Sequence, residues 1–98
     1  MGPEAPYRFE VAPVVDRELE QLPRPVAEAS VEFIASVLVY NPYRVSKPLT
    51  REPLLGLRSA VRARDYRIVF WVDDEAGVVK VVRVGHRSRV YRDRPAGA

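Results

Sequence analysis

Residues 57–84 determine the fold of this chain, and they read LRSAVRARDYRIVFWVDDEAGVVKVVRV. Apolar and polar side chains alternate in three short runs, which is the period expected of a β-strand. The runs are separated by Arg64-Asp65 and by Asp73–Gly77, and residues of these kinds favour tight turns, where glycine accepts a positive φ. Because the connections are short, we expect neighbouring strands to pair antiparallel. The sequence therefore predicts three consecutive strands, Leu57–Ala63, Tyr66–Val72 and Val78–Val84.

The N-terminal part of the chain predicts a further strand and a short helix. Tyr7–Val11 alternates between apolar and polar residues as a strand does. Pro13 suits the first turn of a helix, and a weak apolar stripe continues this helix to about Leu22.

A longer helix is predicted from Val26 to Tyr40. Asn41-Pro42 ends it, because a residue that precedes proline is pushed out of the helical region. The helix is apolar on more than one side, so it is either buried on two sides or leaves an apolar patch for a partner. The residues expected in the core are Val31, Ile34 and Leu38.

These elements predict an α+β fold with the order β-α-α-β-β-β. The antiparallel sheet is expected to carry both N-terminal helices on one face. Residues 7–92 are expected to form a single domain that includes a proline-punctuated basic loop, residues 43–56. The tail, residues 93–98, contains proline and glycine and has no apolar anchor, so we expect it to be disordered.

The composition excludes several classes of function. The chain has 98 residues and no cysteine, which rules out disulfides and thiolate catalysis and is typical of a reducing compartment. Its one histidine, His86, rules out a site of several histidine ligands, so we expect neither a metal nor another cofactor. Without an apolar stretch long enough to span a membrane or a signal peptide, we expect a cytoplasmic protein with no membrane partner.

The charge is distributed unequally along the chain. Residues 1–43 carry seven acidic and three basic residues, whereas residues 44–98 carry six acidic and thirteen basic ones. The modest net charge of +3 is therefore the sum of a −4 part and a +7 part. This asymmetry predicts that the second part of the chain meets a polyanion.

The alternation also predicts where the arginines of the sheet lie, because residues an even number apart in a strand share a face. If Leu57, Val61, Ile68, Phe70, Val82 and Val84 all face the helices, five arginines gather on the uncovered face: Arg58, Arg62, Arg67, Arg83 and Arg87. Guanidiniums beside aromatic rings suit the phosphates and bases of RNA. The alternative is an ordinary solvated outer face, which is also expected to carry charge.

A set of short motifs along about residues 7–92 resembles the RelE/ParE superfamily of toxin components of bacterial type II toxin–antitoxin systems. It is most similar to the RelE branch, which comprises ribosome-dependent mRNA endonucleases. The motifs are Leu19-x-x-Leu22-Pro23, Asn41-Pro42, Lys47-Pro48-Leu49, Gly56-Leu57-Arg58-Ser59, Asp65-Tyr66-Arg67 with Val69-Phe70, and Gly85-His86-Arg87 with Val90-Tyr91-Arg92.

The resemblance implies a role for each of several residues. Arg67 matches the arginine that contacts the scissile phosphate, and Arg87 matches the arginine that stabilises the charge developing on it. Tyr91 matches the tyrosine that stacks on or orients the RNA, and Arg58 lies where relatives use a lysine for phosphate binding or proton transfer. The other cations expected to bind RNA are Lys47, Arg51, Arg62, Arg64, Arg83 and Arg89.

The chain departs from the family pattern at two positions. Ala60 stands where relatives have a second lysine. Arg64 stands in the turn where many relatives have glycine, and a positive φ would cost an arginine about 1 kcal/mol, so the turn is expected to differ.

The implied reaction is metal-independent attack of a ribose 2′-OH on the adjacent phosphate, which gives a 2′,3′-cyclic phosphate and a free 5′-OH. It needs help in removing the 2′-OH proton, and arginine is a poor base because it remains protonated. His86 has a suitable intrinsic pKa, but alternation directs it away from Arg87, so a structural role competes with the role of base. Tyr91 is a comparable candidate, and the remaining alternative is a site that supplies mainly charge and geometry.

The resemblance implies three partners: a cognate antitoxin, the 70S ribosome and its mRNA. The apolar residues of the 26–40 helix and the cationic sheet face are the expected antitoxin docking sites. Two other functions remain open within the same fold. One is a ParE-like inhibitor of DNA gyrase, and the other is a catalytically weak antitoxin-binding module, which Ala60 favours.

Overall fold

The computed structural model describes residues 5–92, so the predicted disordered tail at 93–98 lies outside the described residues. The helices are α1 (Pro13–Gln21) and α2 (Arg24–Phe33), and α2 continues into a π-helical turn, Ile34–Leu38. The strands are β1 (Arg8–Val11), β2 (Lys47–Pro48), β3 (Arg58–Arg62), β4 (Tyr66–Asp73) and β5 (Val78–His86). Among the described residues, no helix has the length and apolar character needed to cross a membrane.

The five strands form one sheet in the order β1-β5-β4-β3-β2, which confirms the α+β class. The strands β3, β4 and β5 pair antiparallel, as their short connections predict. The sheet as a whole is mixed, because β1 pairs parallel with β5 after the chain has passed through the helices and the hairpins. The short strand β2, which the sequence did not reveal, adds to β3 at the other edge.

The second helix ends near the predicted point but presents a different face to the core. Ile34 and Leu38 are buried as expected, whereas Val31 is 50% exposed, so its predicted place in the core is wrong. The buried residues of α2 are Ser30 and Phe33, which lie on a face that does not include Val31. The π-helical turn that follows shifts the phase of the helix, which is a known effect of such turns.

A β-bulge in β5 changes which side chains face the helices. Val69 pairs with Arg83 and Phe70 pairs with Val81, so Val82 is an extra residue without a partner in β4. Val81 and Val84 therefore join the helix-side core, while Val82 joins a second core. The prediction that Val82 and Val84 share a face is wrong for this reason.

The second core covers part of the sheet face that was expected to be open. Its buried members come from the 49–57 loop, the strands and the segment after β5: Leu54, Leu57, Val69, Val82 and Val90. The helix-side core instead takes Ala60 from β3, together with Ile68 and Phe70 from β4. Leu57 and Ala60 thus lie on opposite faces of the sheet.

Glu18 of α1 closes the edge of β5 where β1 ends. The last pair of β1 and β5 is Val11 with Val81, and Glu18 Oε1 accepts a hydrogen bond from the Val84 N–H at 3.0 Å. Its Oε2 accepts from Arg83 Nε at 2.8 Å, and the side chains are only 15% and 23% exposed. One carboxylate therefore joins α1 to the bulged half of β5.

We predict that Glu18→Ala lowers the free energy of unfolding by about 2–3 kcal/mol, because it leaves a half-buried Arg83 and an edge N–H without their acceptor. Urea unfolding measures the change. The matched control is Glu20→Ala, an exposed acid of the same helix, which should change stability by no more than about 0.5 kcal/mol. Equal effects of the two substitutions would contradict this role for Glu18.

Candidate active site at the end of the sheet

Arg67 and Arg87 lie at the same end of the β4–β5 pair. Arg67 is directly opposite Gly85 in the register, and Arg87 follows the last residue of β5. The Arg87 N–H donates to the Asp65 carbonyl at 2.8 Å, which ties the segment after β5 to the turn before β4. The structure therefore brings together the two arginines that the family resemblance assigns to the phosphate.

Each of these two guanidiniums is oriented without being buried in a strong ion pair. Arg67 Nη1 donates to the carbonyl oxygens of Arg64 at 2.8 Å and Tyr66 at 3.0 Å. Arg87 Nε is 3.6 Å from Asp65 Oδ1, and both side chains are about half exposed or more. Exposed pairs of this kind contribute roughly 0–1 kcal/mol, so a phosphate can compete with Asp65 for Arg87.

The turn before β4 supplies one of the acceptors for Arg67. Arg64 has a φ of 70° and Ala63 a φ of 46°, so two residues with a Cβ occupy the left-handed region. The expectation that the turn would differ to avoid a positive φ at Arg64 is therefore wrong, and the conformation costs roughly 1 kcal/mol or more for each of the two residues. The strained conformation directs the Arg64 carbonyl at Arg67.

Tyr91 lies on the sheet face opposite the helices. Its hydroxyl is 2.6 Å from Ser59 Oγ, and its ring packs against the second core. Ser59 pairs with Val69, which belongs to that core, and the next pair on the same face is Val61 with Arg67. Tyr91 and Arg67 therefore share a face.

Arg58 lies on the helix-side face, so its predicted place on the opposite face is wrong. It pairs with Phe70 of the helix-side core. Its Nε donates to Ser46 Oγ at 2.8 Å, and its Nη2 is 3.3 Å from the carbonyl oxygens of Tyr43 and Ser46. The guanidinium also stands 5.0 Å from the centre of the Tyr43 ring. These contacts make Arg58 a clamp for the loop after the π-helical turn.

Arg62 and Arg83 are also engaged by the fold. The Arg62 guanidinium carbon lies 3.8 Å from the centre of the Phe33 ring on the helix side, and its buried Nε has no hydrogen-bond partner. Arg83 is held by Glu18. The expected face of five arginines is therefore wrong, because β3 has the opposite phase and the bulge interrupts the alternation of β5.

The structure accounts for the departure from the family pattern at Ala60. This residue is 1% exposed and belongs to the helix-side core with Ile68. A lysine at this position would place its amine in an apolar environment, which is costly. Position 60 therefore contributes packing and no proton-transfer group.

The hydrogen bonds of His86 argue against its role as the base. Its Nδ1 accepts from the Ser88 N–H at 3.1 Å and lies 2.8 Å from Ser88 Oγ. In the neutral ring the proton is then on Nε2, because an Nδ1 that accepts from an amide cannot carry it. The ring also contacts Tyr66 edge to face at 5.5 Å. His86 is thus a donor through Nε2.

Four further cations that were predicted to bind RNA lie around this end and face of the sheet. They form no ion pair with another residue of the part of the chain that the structure describes. Lys47 is exposed and pairs with Ser59, so it shares the face of Tyr91. Arg51 is exposed on the loop that covers the second core, and Arg64 is exposed in its turn. Arg89 is exposed beside His86. Among residues 5–92, no group of three or more histidine, aspartate or glutamate side chains could hold a metal ion.

A cluster that sequence reasoning missed supports the Arg58 clamp. The hydroxyls of Tyr7 and Tyr43 both donate to the carboxylate of Asp74, in the turn between β4 and β5. These hydrogen bonds raise the pKa of Tyr7 to about 12, raise the pKa of Tyr43 and lower the pKa of Asp74. The three groups are far apart in the sequence, so no local pattern could have revealed the cluster.

We predict that Asp74→Asn returns the pKa values of Tyr7 and Tyr43 toward the ordinary value of 10, because both phenols then lose their anionic acceptor. Ultraviolet difference titration measures the change. Two of the five tyrosines should lose their protons well above pH 10 in the wild type and at a lower pH, nearer 10, in the variant. Glu75→Gln, in the same turn, is the control and should leave the titration unchanged. Late titration that persists in Asp74→Asn would contradict the assignment.

The same contacts determine how stability depends on pH. The pKa of Tyr7 is raised in the folded protein by its hydrogen bond to Asp74. The contribution of Tyr7 to the free energy of unfolding is therefore present in full below pH 10 and is lost as the pH rises toward 12. Asp74 has a lowered pKa when folded, so its contribution is present above its ordinary value of 3.8 and is lost as the pH falls below that value.

Comparisons with known proteins agree with this architecture. A family model described as the ParE toxin of the type II toxin–antitoxin system, parDE, matches residues 9–91. Toxin RelE of Mycobacterium tuberculosis is 40% identical over 95 residues, which are 97% of this chain and 96% of the relative. Toxin RelG of the same organism is 41% identical over 87 residues, which are 89% of this chain and 98% of the relative.

Solved structures give the same relationship. The toxin–antitoxin complex RelBE2 of M. tuberculosis contains a chain that is 41% identical with a TM-score of 0.77, and the match covers 84% of this chain and 99% of that one. In the archaeal RelE–RelB complex of Pyrococcus horikoshii the identity is 27% and the TM-score 0.66, with 86% and 98% covered. This chain therefore belongs to the RelE family of toxins, within the RelE/ParE superfamily of type II toxin–antitoxin systems.

Proposed function

We propose that this toxin is an endoribonuclease that cleaves mRNA in the ribosomal A site and thereby inhibits translation. The observation that supports this function best is the position of Arg67, Arg87 and Tyr91. The two arginines lie at one end of the β4–β5 pair, and Tyr91 lies on the same face as Arg67. Preoriented guanidiniums, one of them on the same face as a phenol, suit a phosphate that gains negative charge during the reaction.

In the proposed reaction the ribose 2′-OH attacks the adjacent phosphate, and the bond to the 5′ oxygen of the next nucleotide breaks. Arg67, held by two carbonyl groups, binds the scissile phosphate. Arg87 leaves its exposed contact with Asp65 and stabilises the developing charge. Tyr91 orients the RNA from its fixed place beside Ser59. Arg58 acts as a positioning residue through the loop that it clamps.

The proposed site gains its rate from charge and geometry more than from a dedicated base. Ala60 is buried in the core, and the Nδ1 of His86 is occupied by Ser88. Preorganised donors at a developing oxyanion contribute roughly 3–4 kcal/mol each. The ribosome would position the mRNA, and Lys47, Arg51, Arg64 and Arg89 would contact its backbone.

A cognate antitoxin is the second proposed partner. The related chains in the M. tuberculosis and P. horikoshii structures were solved in toxin–antitoxin complexes. In this chain the end of α2 and the π-helical turn leave Val31, Val37 and Tyr40 exposed, at 50%, 37% and 39%. We propose that the antitoxin covers this apolar surface. Action on ribosomes also implies that the toxin works in the cytoplasm.

Inhibition of DNA gyrase is the second candidate function. The observation in its favour is that the matching family model is that of the ParE toxin. The two curated relatives described above carry RelE-type names and cover nearly the whole chain, and for this reason we place the ribonuclease first.

We predict that Arg67→Ala and Arg87→Ala each slow cleavage about 100- to 1,000-fold, because each removes a donor from the developing charge. The measurement maps mRNA 5′ ends on translating ribosomes with and without the purified toxin. New 5′-OH ends should appear within the A-site codon. Arg24→Ala is the matched control, since it removes only an exposed contact with Glu28 on α2.

Failure of a folded, antitoxin-free wild-type toxin to cut would overturn the ribonuclease. A gyrase supercoiling assay on the same sample then distinguishes the two remaining functions. Inhibition would indicate the ParE-like activity, and its absence would indicate an antitoxin-binding module that lacks the chemistry.

We predict that Tyr91→Phe and Ser59→Ala separate the chemical and structural roles of the tyrosine. If the phenol only orients RNA through its bond to Ser59, the two substitutions remove the same hydrogen bond and should slow cleavage by similar factors of about 10. Single-turnover cleavage rates on ribosomes measure this. A loss of 100-fold or more in Tyr91→Phe alone, roughly what positioned proton transfer contributes, would contradict a purely orienting role.

A further inference from the structure

A cleft of about 460 Å³ lies beside the open edge of β5, next to the proposed phosphate site. One wall comes from the end of α1, with Gln21, Leu22 and Pro23. The other wall comes from the end of the sheet and the segment after it, with Tyr66, His86, Ser88 and Arg89 among its residues. Its volume is in the range of roughly 300–1,000 Å³ that is typical of sites for small organic groups.

The walls of this cleft combine apolar and aromatic surface with hydrogen-bond donors. Tyr66 and His86 contact each other edge to face, and they are paired across β4 and β5 on the face of the helix-side core. His86 presents Nε2–H as a donor, because Nδ1 accepts from Ser88. The carboxylate of Glu18 is already engaged by Arg83 and by the Val84 N–H.

This chemistry suits a planar heterocycle better than a phosphate. In the cleft the charges of Glu18 and Arg83 largely cancel, so the exposed Arg89 is the cation left for an anion. A nucleobase, by contrast, uses aromatic and apolar surface for stacking and ring acceptors for hydrogen bonds.

Gly85 connects the cleft with the proposed phosphate site. It lines the cleft and is the residue directly opposite Arg67 in the register. Apart from its chain neighbours, no heavy atom lies within 4 Å of the place that a Cβ would take there. Because paired residues share a face, this open space is on the side of Arg67. A chain of RNA can therefore pass the end of β5 at Gly85.

We infer that the cleft receives one unstacked nucleobase of the substrate RNA while the neighbouring phosphate lies at Arg67 and Arg87. Alternation along the strands separates the two functions: Tyr66 and His86 face the base, and the residues that follow each of them face the phosphate. Tyr66, His86 and Arg89 thus influence which nucleotides are cut. This inference rests on the proposed ribonuclease activity.

The test uses the full-length toxin and ribosomes loaded with mRNAs that carry an abasic ribonucleotide at each A-site position in turn. For the wild type, the abasic nucleotide at one position beside the cut should slow cleavage about 10- to 100-fold, as expected for the loss of one stacked base. His86→Leu and Tyr66→Leu should slow cleavage of the intact mRNA by a similar factor. In these variants the same abasic nucleotide should have no more than about a twofold further effect, because the contact is already lost.

Two controls keep the result specific. Gly85→Val adds its side chain on the Arg67 side, where it meets no atom, so it should slow cleavage without removing the effect of the abasic nucleotide, and binding of the cognate antitoxin checks that each variant folds. Thr50→Val adds a similar side chain at an exposed site on a loop that does not line the cleft, and it should behave as the wild type does.

The outcomes separate this inference from the proposed function. A wild-type toxin that makes no cut overturns the ribonuclease, and the inference falls with it. A wild-type toxin that cuts but tolerates abasic nucleotides at every position overturns the inference alone. So does a loss on abasic mRNA that is equally large in His86→Leu and Tyr66→Leu, since the base would then be recognised elsewhere, for example by the ribosome.

Discussion

The extra residue in β5 is the constraint on which both faces of this protein depend. A strand without a bulge would direct Val82 and Val84 to the same side, and one of the two cores would then lose a residue of β5. The bulge at Val82 gives Val84 to the helix side and Val82 to the other side. Because β5 lies between β1 and β4, this one shift allows the sheet to be covered by helices on one face and by a loop and Val90 on the other.

The phase of β3 and the bulge in β5 together divide the arginines of the sheet into two groups. Arg58, Arg62 and Arg83 are held by internal partners, whereas the two arginines at the end of the β4–β5 pair remain accessible. The partners of Arg58 and Arg62 are carbonyl groups, a hydroxyl and aromatic rings, none of which carries a charge. Their positive charges are therefore not cancelled, and they add to the field of this part of the chain even though they bind no anion directly.

The sequence was informative where neighbouring residues decide the structure and uninformative where distant ones do. The hairpins and the α+β class follow from alternation and turn residues, and Ile34 and Leu38 follow from helical spacing. The bulge lies in Val78-Val79-Lys80-Val81-Val82, which has valines in both phases and so gives no sign of a shift. The phase of β3 could not be predicted either, because the partners of Leu57 and Ala60 come from remote segments on opposite faces.

The prediction of the site residues was limited in the same way. The family motifs named candidate residues, but they did not reveal which of these side chains are held by other parts of the protein. A guanidinium is planar and permanently charged, which makes it a good clamp for carbonyl groups and phosphates and a poor base. The fold uses the first property at Arg58, and the proposed reaction uses it again at Arg67 and Arg87. A site that relies on arginine in this way can stabilise a transition state but has little means of creating the nucleophile. In the proposed reaction the substrate must therefore arrive already aligned, which is what a ribosome-bound mRNA would provide.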